Sequence, residues 1–225
     1  MPLEVSPAVQ DYAKAIYALE ERGKGGAVST NALAERLGVS AASASSMVKR
    51  LDGLGLVQHV PYKGVVLTER GAKIALEVLR HHRLLERYLA QELGVPWDRV
   101  HDEAEVLEHV LSEELEELIA AKLGHPTIDP HGDPIPTADL EIVAHTTVSM
   151  ETLEPGDTGR FVRISDSDPE MLRYLGARGI APGARFEVVD KQPFGGPLFA
   201  RFGDGDDVHP LGGRLAAAMR VEMRP

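Results

Sequence analysis

Two histidines and four acidic residues crowd into HDEAEVLEH, residues 101–109. Residues three and four apart share a helix face, so Glu105, Glu108 and His109 project together if this stretch is helical. His101 lies one turn earlier, on the same side as Glu105. Upstream, His82 and Glu86 are also four apart. Two packed helices carrying these six groups could hold one or two divalent cations. Asp102, Glu103 and the run Glu113, Glu114, Glu116, Glu117 point partly elsewhere and read as solvated surface. Acidic helix faces are common without any metal, so on the residues alone a wet acidic face and a cation site both stand. Neither His-Glu-x-x-His nor Glu-x-x-His occurs here, which argues against a zinc protease and a di-iron bundle.

Composition narrows the chemistry. The 225 residues contain no cysteine, so any metal must be held by His, Asp and Glu, and disulfides are excluded. The net charge of −11 is unevenly spread. Residues 1–70 carry 8 Lys+Arg against 7 Asp+Glu, residues 71–147 carry 6 against 16, and the rest 10 against 12. A near-neutral head on an acidic body can still bind DNA, because the local field decides contact. The acidic middle is where a cation belongs. No apolar run approaches the ~20 residues needed to span a bilayer, and the start lacks a signal-peptide pattern. The expected location is cytoplasmic, with no membrane partner.

The elements that must position these groups follow from periodicity and caps. Val9, Tyr12, Ile16, Tyr17 and Leu19 fall at helical spacing over 7–22, and glycines at 23, 25 and 26 end that helix. Ser29 or Thr30 can cap a short helix that runs into Gly38, and Ser40 can cap a second, with Val48 and Leu51 inward. Two short helices around a Gly-containing turn form a helix-turn-helix. LVQHVPYKGVVLTERG then reads as two strands joined at Tyr62, Lys63 and Gly64, a wing, with Thr68 capping the next helix. The second helix of the motif offers Ser40, Ala42, Ser43 and Ser46, small enough for close groove approach, and ends in Lys49 and Arg50. Lys63 at the wing tip is a natural phosphate contact. No Arg, Asn or Gln occupies its early part, so DNA shape and site spacing should carry much of the specificity.

Gly71 to Leu93 reads as one long helix, and about Asp98 to Leu123 as a second. HPTIDPHGDPIPTADLEI, with four prolines, is a linker. From about Val148, GRFVRI, ARFEVVD, LFARF and AMRVEM predict a small antiparallel barrel. The expected fold is mostly α with β: a winged helix-turn-helix over 1–72, a helical domain over 73–125 that carries the candidate metal ligands, a Pro-rich linker over 126–147, and a small antiparallel barrel over 148–225.

The order of helix-turn-helix, wing, HHRLLERYLAQELGVPWDRVHDEAEVLEH and GDPIP resembles the diphtheria-toxin-repressor (DtxR/MntR) family of metal-dependent transcriptional repressors. The resemblance runs from about Pro7 to Pro136 and more weakly into the tail, which is similar to the family's SH3-like, FeoA-type domain. It implies that the helical domain over 73–125 binds metal and dimerises and that the barrel over 148–225 is SH3-like. It implies a primary metal site of Asp11, Glu105, Glu108 and His109. It implies a second site of His82, Glu86 and His101, completed from the tail by Asp168, with Glu170 beside it; Met171 stands where another tail ligand would fall. Iron-responsive members resemble this chain but carry methionine at Asp11 and cysteine at Glu105. Hard oxygen donors in their place favour Mn²⁺, with Fe²⁺ as the alternative, while Co²⁺, Ni²⁺, Zn²⁺ or Cd²⁺ can substitute in vitro. Two-metal manganese members carry a glutamate where Lys14 stands. The implied partners are a palindromic double-stranded operator and a second copy in a homodimer, with no small-molecule substrate. In this reading, repulsion among Asp11, Glu105 and Glu108 keeps the first helix away until a cation ties it down. Rival readings are a winged-helix regulator sensing a non-metal ligand, and a metal-dependent hydrolase, which no positioned nucleophile or Gly-rich oxyanion loop supports. The barrel could also dock a protein partner or the Pro-rich linker.

Overall fold

The computed structural model describes residues 5–23, 25–143 and 146–223. These fall into two compact units: residues up to 82 with 107–112 and 136–141, and 83–106 with 113–135 and the remainder of the chain.

The first unit opens with α1 (Pro7–Arg22), which begins on a proline at its first turn and buries Val9, Tyr12, Ala13 and Ile16 at helical spacing. Ser29 Oγ accepts the Ala32 amide to start α2 (Thr30–Leu37), and Gly38, at φ +63°, ends it in the left-handed conformation. Ser40 Oγ accepts the Ser43 amide at 3.1 Å and starts α3 (Ala41–Gly53), whose Ala44, Val48 and Leu51 are buried. The helix-turn-helix is therefore built by local caps that the sequence displays.

Strands β1 (Val57–Val60) and β2 (Gly64–Leu67) pair antiparallel as the wing. Val28 bridges to Val65, and Glu20 accepts the Leu67 amide at 2.8 Å, so the wing's base is tied to the loop before α2 and to α1. Gly64 lies at φ +124°, and a Cβ there would stand 1.9 Å from the Val28 carbonyl oxygen. Gly64→Ala should therefore cost about 2–4 kcal/mol through strain and forced displacement of the Val28 segment. Denaturant unfolding checks this, and an unchanged midpoint would show that the close approach is not structural. Helix α4 (Glu69–Leu93) follows, capped as expected by Thr68, whose Oγ1 accepts the Gly71 amide.

The single helix expected over 98–123 is two: α5 (Val100–Leu107) and α6 (Glu113–Lys122). Ser112 occupies the position before α6, and Glu113, Glu114 and Glu116 fill its first turn, a start signal strong enough to interrupt the periodicity. Glu108 and His109 thus sit in a turn and do not continue the α5 face.

In the second unit β3 (Val148–Ser149), β4 (Thr158–Ile164), β5 (Arg185–Lys191), β6 (Leu198–Phe202), β7 (Val208–Leu211) and β8 (Met219–Met223) form an antiparallel sheet in the order 3-8-4-5-6-7. Register shifts at Phe161/Arg163 and Val188/Asp190 bend it. Phe161, Ile164, Val188, Ala200 and Val221 line its core, with Leu172 and Leu175 of α7 (Pro169–Gly176) and Leu215 of α8 (Gly213–Ala218) packed in. Strand β7 escaped the sequence reading because Pro210 interrupts it; the proline is tolerated at this end of the sheet order.

The proline-containing stretch after α6 is no bare tether. In the second unit Asp129, His131 and Ile135 are buried. Gly132, at φ +87°, lies where a Cβ would come 1.8 Å from the Val162 carbonyl oxygen, and the Ile164 amide donates to the His131 carbonyl. The His131 ring stacks on Trp97 at 5.9 Å, and one ring nitrogen lies 2.7 Å from the Trp97 carbonyl.

Candidate metal centres and nucleic-acid interface

In the first unit, α1 brings Asp11 to the turn carrying Glu108 and His109, and each offers a ligand atom within 4.8 Å of the others. His109 Nε2 is 2.9 Å from Asp11 Oδ1 and 3.7 Å from Glu108 Oε1. Its Nδ1 lies 2.7 Å from Gln10 Oε1. Donation from Nδ1 to that amide oxygen leaves Nε2 as the atom facing Asp11. A bare imidazole nitrogen and a carboxylate repel unless a proton or a cation stands between them. The donor set, two carboxylates and an imidazole nitrogen with no sulfur, fits a hard divalent ion.

Glu108 is fully buried. Its Oε1 accepts from Lys14 Nζ at 2.6 Å, and its Oε2 lies 2.5 Å from His82 Nδ1. Burial opposes ionisation of this carboxyl, but the His82 hydrogen bond and the Lys14 ammonium outweigh it and hold the pKa below the usual value. One expectation changes here: the carboxylates do not simply repel, because the Lys14 ammonium supplies positive charge beside Glu108. His82, which the resemblance gave to a second site, lies against Glu108 in this unit.

Glu105 lies on α5 in the second unit, half-exposed, with Oε1 3.8 Å from His101 Nε2. Asp102 and Glu103 are exposed, as expected for solvated surface.

The second unit gathers a different set around Glu86, which is 1% exposed. His101 Nδ1 is 3.4 Å from Glu86 Oε1 and 2.9 Å from Asp166 Oδ2. On its other side Glu86 Oε2 is 3.7 Å from His131 Nδ1, and Asp129 joins these two within ligand range. Hydrogen bonds to Asp166 and Glu86 push the His101 pKa up to about 10. Burial works against protonation of His131, but the Glu86 hydrogen bond and charge, with Asp129, carry it up to about 9. Burial, with Asp133 and Glu86 nearby, pushes Asp129 well above the ordinary carboxylate value. A buried carboxylate cluster of this kind gains most from an added cation.

The tail residue beside His101 is Asp166, and the expectation of Asp168 is corrected. Asp168 is the N-cap of α7: its Oδ1 accepts the Glu170 amide at 3.1 Å, Pro169 occupies the first turn, and its Oδ2 accepts from Arg214 at 3.1 Å. Asp before Pro at a helix start is a capping signal, and it was present in the sequence. Glu170 is exposed on α7, and Met171 packs against the barrel core. Asp129, His131 and Asp166 were missed altogether. IDPHGDP offered a hint in its Asp-x-His-Gly, but two loop residues give no periodicity to read.

On α3, Ala42, Ser43, Ser46, Lys49 and Arg50 form an exposed stripe opposite the buried Ala44, Val48 and Leu51. Ser40 is exposed, but its hydroxyl serves as the cap. Lys63 is exposed at the wing. This stripe is the surface a groove-reading helix needs.

Comparison with known proteins agrees with this layout. The model of the iron dependent repressor N-terminal DNA binding domain matches residues 4–65, and that of the metal binding and dimerisation domain residues 68–137. A FeoA domain matches residues 148–223. The chain belongs to the iron-dependent repressor family. Relatives of this repressor include the iron-dependent repressor IdeR of Mycobacterium tuberculosis (strain ATCC 25618 / H37Rv), 32% identical and covering 97% of this chain and 98% of that one. The diphtheria toxin repressor of Corynebacterium glutamicum is 40% identical over 80% of this chain and 83% of its own. Among solved structures, a manganese-dependent transcriptional repressor in complex with manganese superposes with a TM-score of 0.86 at 43% identity, covering 96% of this repressor and all of that chain. The architecture is the family's: a winged helix-turn-helix, a helical middle and an SH3-like FeoA domain. Among the described residues no helix is long and apolar enough to cross a membrane.

Proposed function

We propose that this repressor is activated by Mn²⁺ bound at a primary centre of Asp11, Glu108 and His109, and then holds a palindromic operator as a homodimer to shut off metal-uptake genes. The observation carrying this reading is the meeting of Asp11, on the first helix of the DNA-binding head, with Glu108 and His109. A divalent cation supplies there the positive charge that lets carboxylates from separate elements sit together. Asp11 then couples the position of α1, and with it the helix-turn-helix core, to the occupancy of the centre. In a two-fold dimer that fixes the spacing of the recognition helices, which must match half-sites whole helical turns apart. Leu93, Val106, Leu115 and Leu118 are large apolar side chains left exposed on α4, α5 and α6, which suits a helical dimer face. Because metal and DNA favour the same state, each tightens the other.

Manganese is favoured by the all-oxygen-and-nitrogen donor set, by Asp11 in particular, and by the manganese-bound neighbour. A second ion would sit at Glu86 with His101 and Asp166, or with Asp129 and His131. The names of the curated relatives favour Fe²⁺ as the second reading. Side-by-side anaerobic titrations of DNA binding with Mn²⁺, Fe²⁺, Zn²⁺ and chelator decide between them. Mn²⁺ should give the fullest activation of DNA binding at saturation, even where Fe²⁺ or Zn²⁺ binds at a lower free concentration. DNA binding that persists undiminished in chelator would sink the metal reading, and stronger activation by Fe²⁺ would overturn the choice of ion.

A further inference from the structure

The wing carries a residue that neither packing nor backbone preference accounts for. Tyr62 joins β1 to β2 at φ +61°, a conformation that suits Gly or Asn and strains a bulky side chain. Its side chain is 108% exposed, so the ring contributes nothing to the core. A glycine would relieve the backbone and lose no contact within the wing. Residues held against their preference by a well-determined surround point to function.

The surround is well determined. Four residue pairs zip β1 to β2, Val28 adds a bridge on the far side of β2, and the Lys63 amide closes the turn on the Val60 carbonyl at 3.0 Å. The ring is thus held out on a stiff stem, with the exposed ammonium of Lys63 next to it. Helix α3 meanwhile presents only Ala41, Ala42, Ser43, Ser45 and Ser46 in its first two turns. Its short side chains reach little, so affinity must come from elsewhere on the DNA-binding head.

We propose that Tyr62 is a DNA contact of the wing: its hydroxyl donates to a backbone phosphate and its ring covers the adjoining sugar, beside the charge of Lys63. Tyrosine hydroxyls are regular phosphate donors, and a rigid aromatic gives contact area at low entropic cost. This rests on the DNA-binding reading of the head.

The test uses the full-length chain with saturating Mn²⁺ and a labelled duplex recovered by selecting a random pool on the unmutated protein. Anisotropy titrations compare it with Tyr62→Gly, Tyr62→Phe and Lys63→Ala, alongside thermal unfolding. Tyr62→Gly should bind about tenfold more weakly while unfolding at the same or a higher temperature. Tyr62→Phe should lose part of that affinity. Lys63→Ala should reduce the salt slope by about one, whereas the Tyr62 variants leave it unchanged, since no cation is removed. Unchanged affinity in Tyr62→Gly overturns the proposal, and so does weaker binding accompanied by a lower unfolding temperature, which would make Tyr62 structural. If the unmutated chain selects no duplex, the DNA-binding reading itself fails, a result separable from either.

Discussion

Asp11→Asn is expected to remove metal-stimulated DNA binding while leaving the fold intact, and Glu108→Gln to remove it at a cost in stability. The two differ because their surroundings differ. The Asp11 side chain is 36% exposed and meets His109 at the edge of α1, so a neutral isostere disturbs little packing. Glu108 is fully buried between Lys14, itself only 14% exposed, and His82. Removing its charge leaves the largely buried Lys14 ammonium and the His82 ring facing an amide, which should destabilise the first unit by on the order of 3 kcal/mol. Both variants withdraw a hard oxygen donor from the same centre, so the Mn²⁺ needed for half-maximal DNA binding should rise at least ~100-fold. Anisotropy titrations against buffered free Mn²⁺, paired with urea unfolding in chelator, separate the two effects. An unmoved Mn²⁺ midpoint in Asp11→Asn would remove α1 from the metal site, and with it the proposed coupling to the DNA-binding head.

Lys14 adds a feature that a list of ligands does not convey. Its ammonium holds Glu108 Oε1 at 2.6 Å, at the position where the two-metal members of the resembled family carry a glutamate. A fixed cation there takes up acidic charge that a second ion would otherwise share.

Much of the architecture was legible because it is written locally. Ser29, Gly38 and Ser40 place the helix-turn-helix by capping alone, and runs of apolar–polar alternation, broken by bulges in β4 and β5, mark β4, β5 and β8. Where two local signals compete, reading by periodicity fails. The apolar spacing over 98–123 continued through Glu108, while Ser112 and the acidic residues after it started a new helix, and the turn between them carries two proposed ligands. The Glu86 cluster was only half legible for a different reason. His101 shows itself by helical spacing, but Asp129, His131 and Asp166 come from loops whose course is set by contacts distant in sequence, such as Gly132 against the Val162 carbonyl. Asp168 was the wrong carboxylate because helix capping and metal binding use the same side chain, and the cap took it.

The second large effect is on proton competition at that cluster. His101 has a folded pKa of about 10, raised by hydrogen bonds to Asp166 and Glu86, against about 6.5 when unfolded. A raised pKa stabilises the protonated folded state, so the His101 contribution is fully present below about pH 6.5 and is lost as pH rises through about 10. In chelator, the thermal midpoint should therefore fall from neutral pH toward pH ~10. A metal ion needs the ring neutral, so it must displace that proton, and its affinity should rise about tenfold per pH unit across neutral pH. In an Asp11→Asn background, which disables the primary centre, the free Mn²⁺ signal in electron paramagnetic resonance gives the affinity of the second site alone. Its logarithm should climb with a slope of at least one between about pH 6 and 8. His101→Asn should lower the slope by one if the ion sits with Asp166, and leave it unchanged if the ion sits with Asp129 and His131, where a second raised histidine supplies the proton instead. A flat profile in the Asp11→Asn protein would mean that neither histidine gives up a proton to the metal, and the Glu86 cluster would then be a network of ion pairs only.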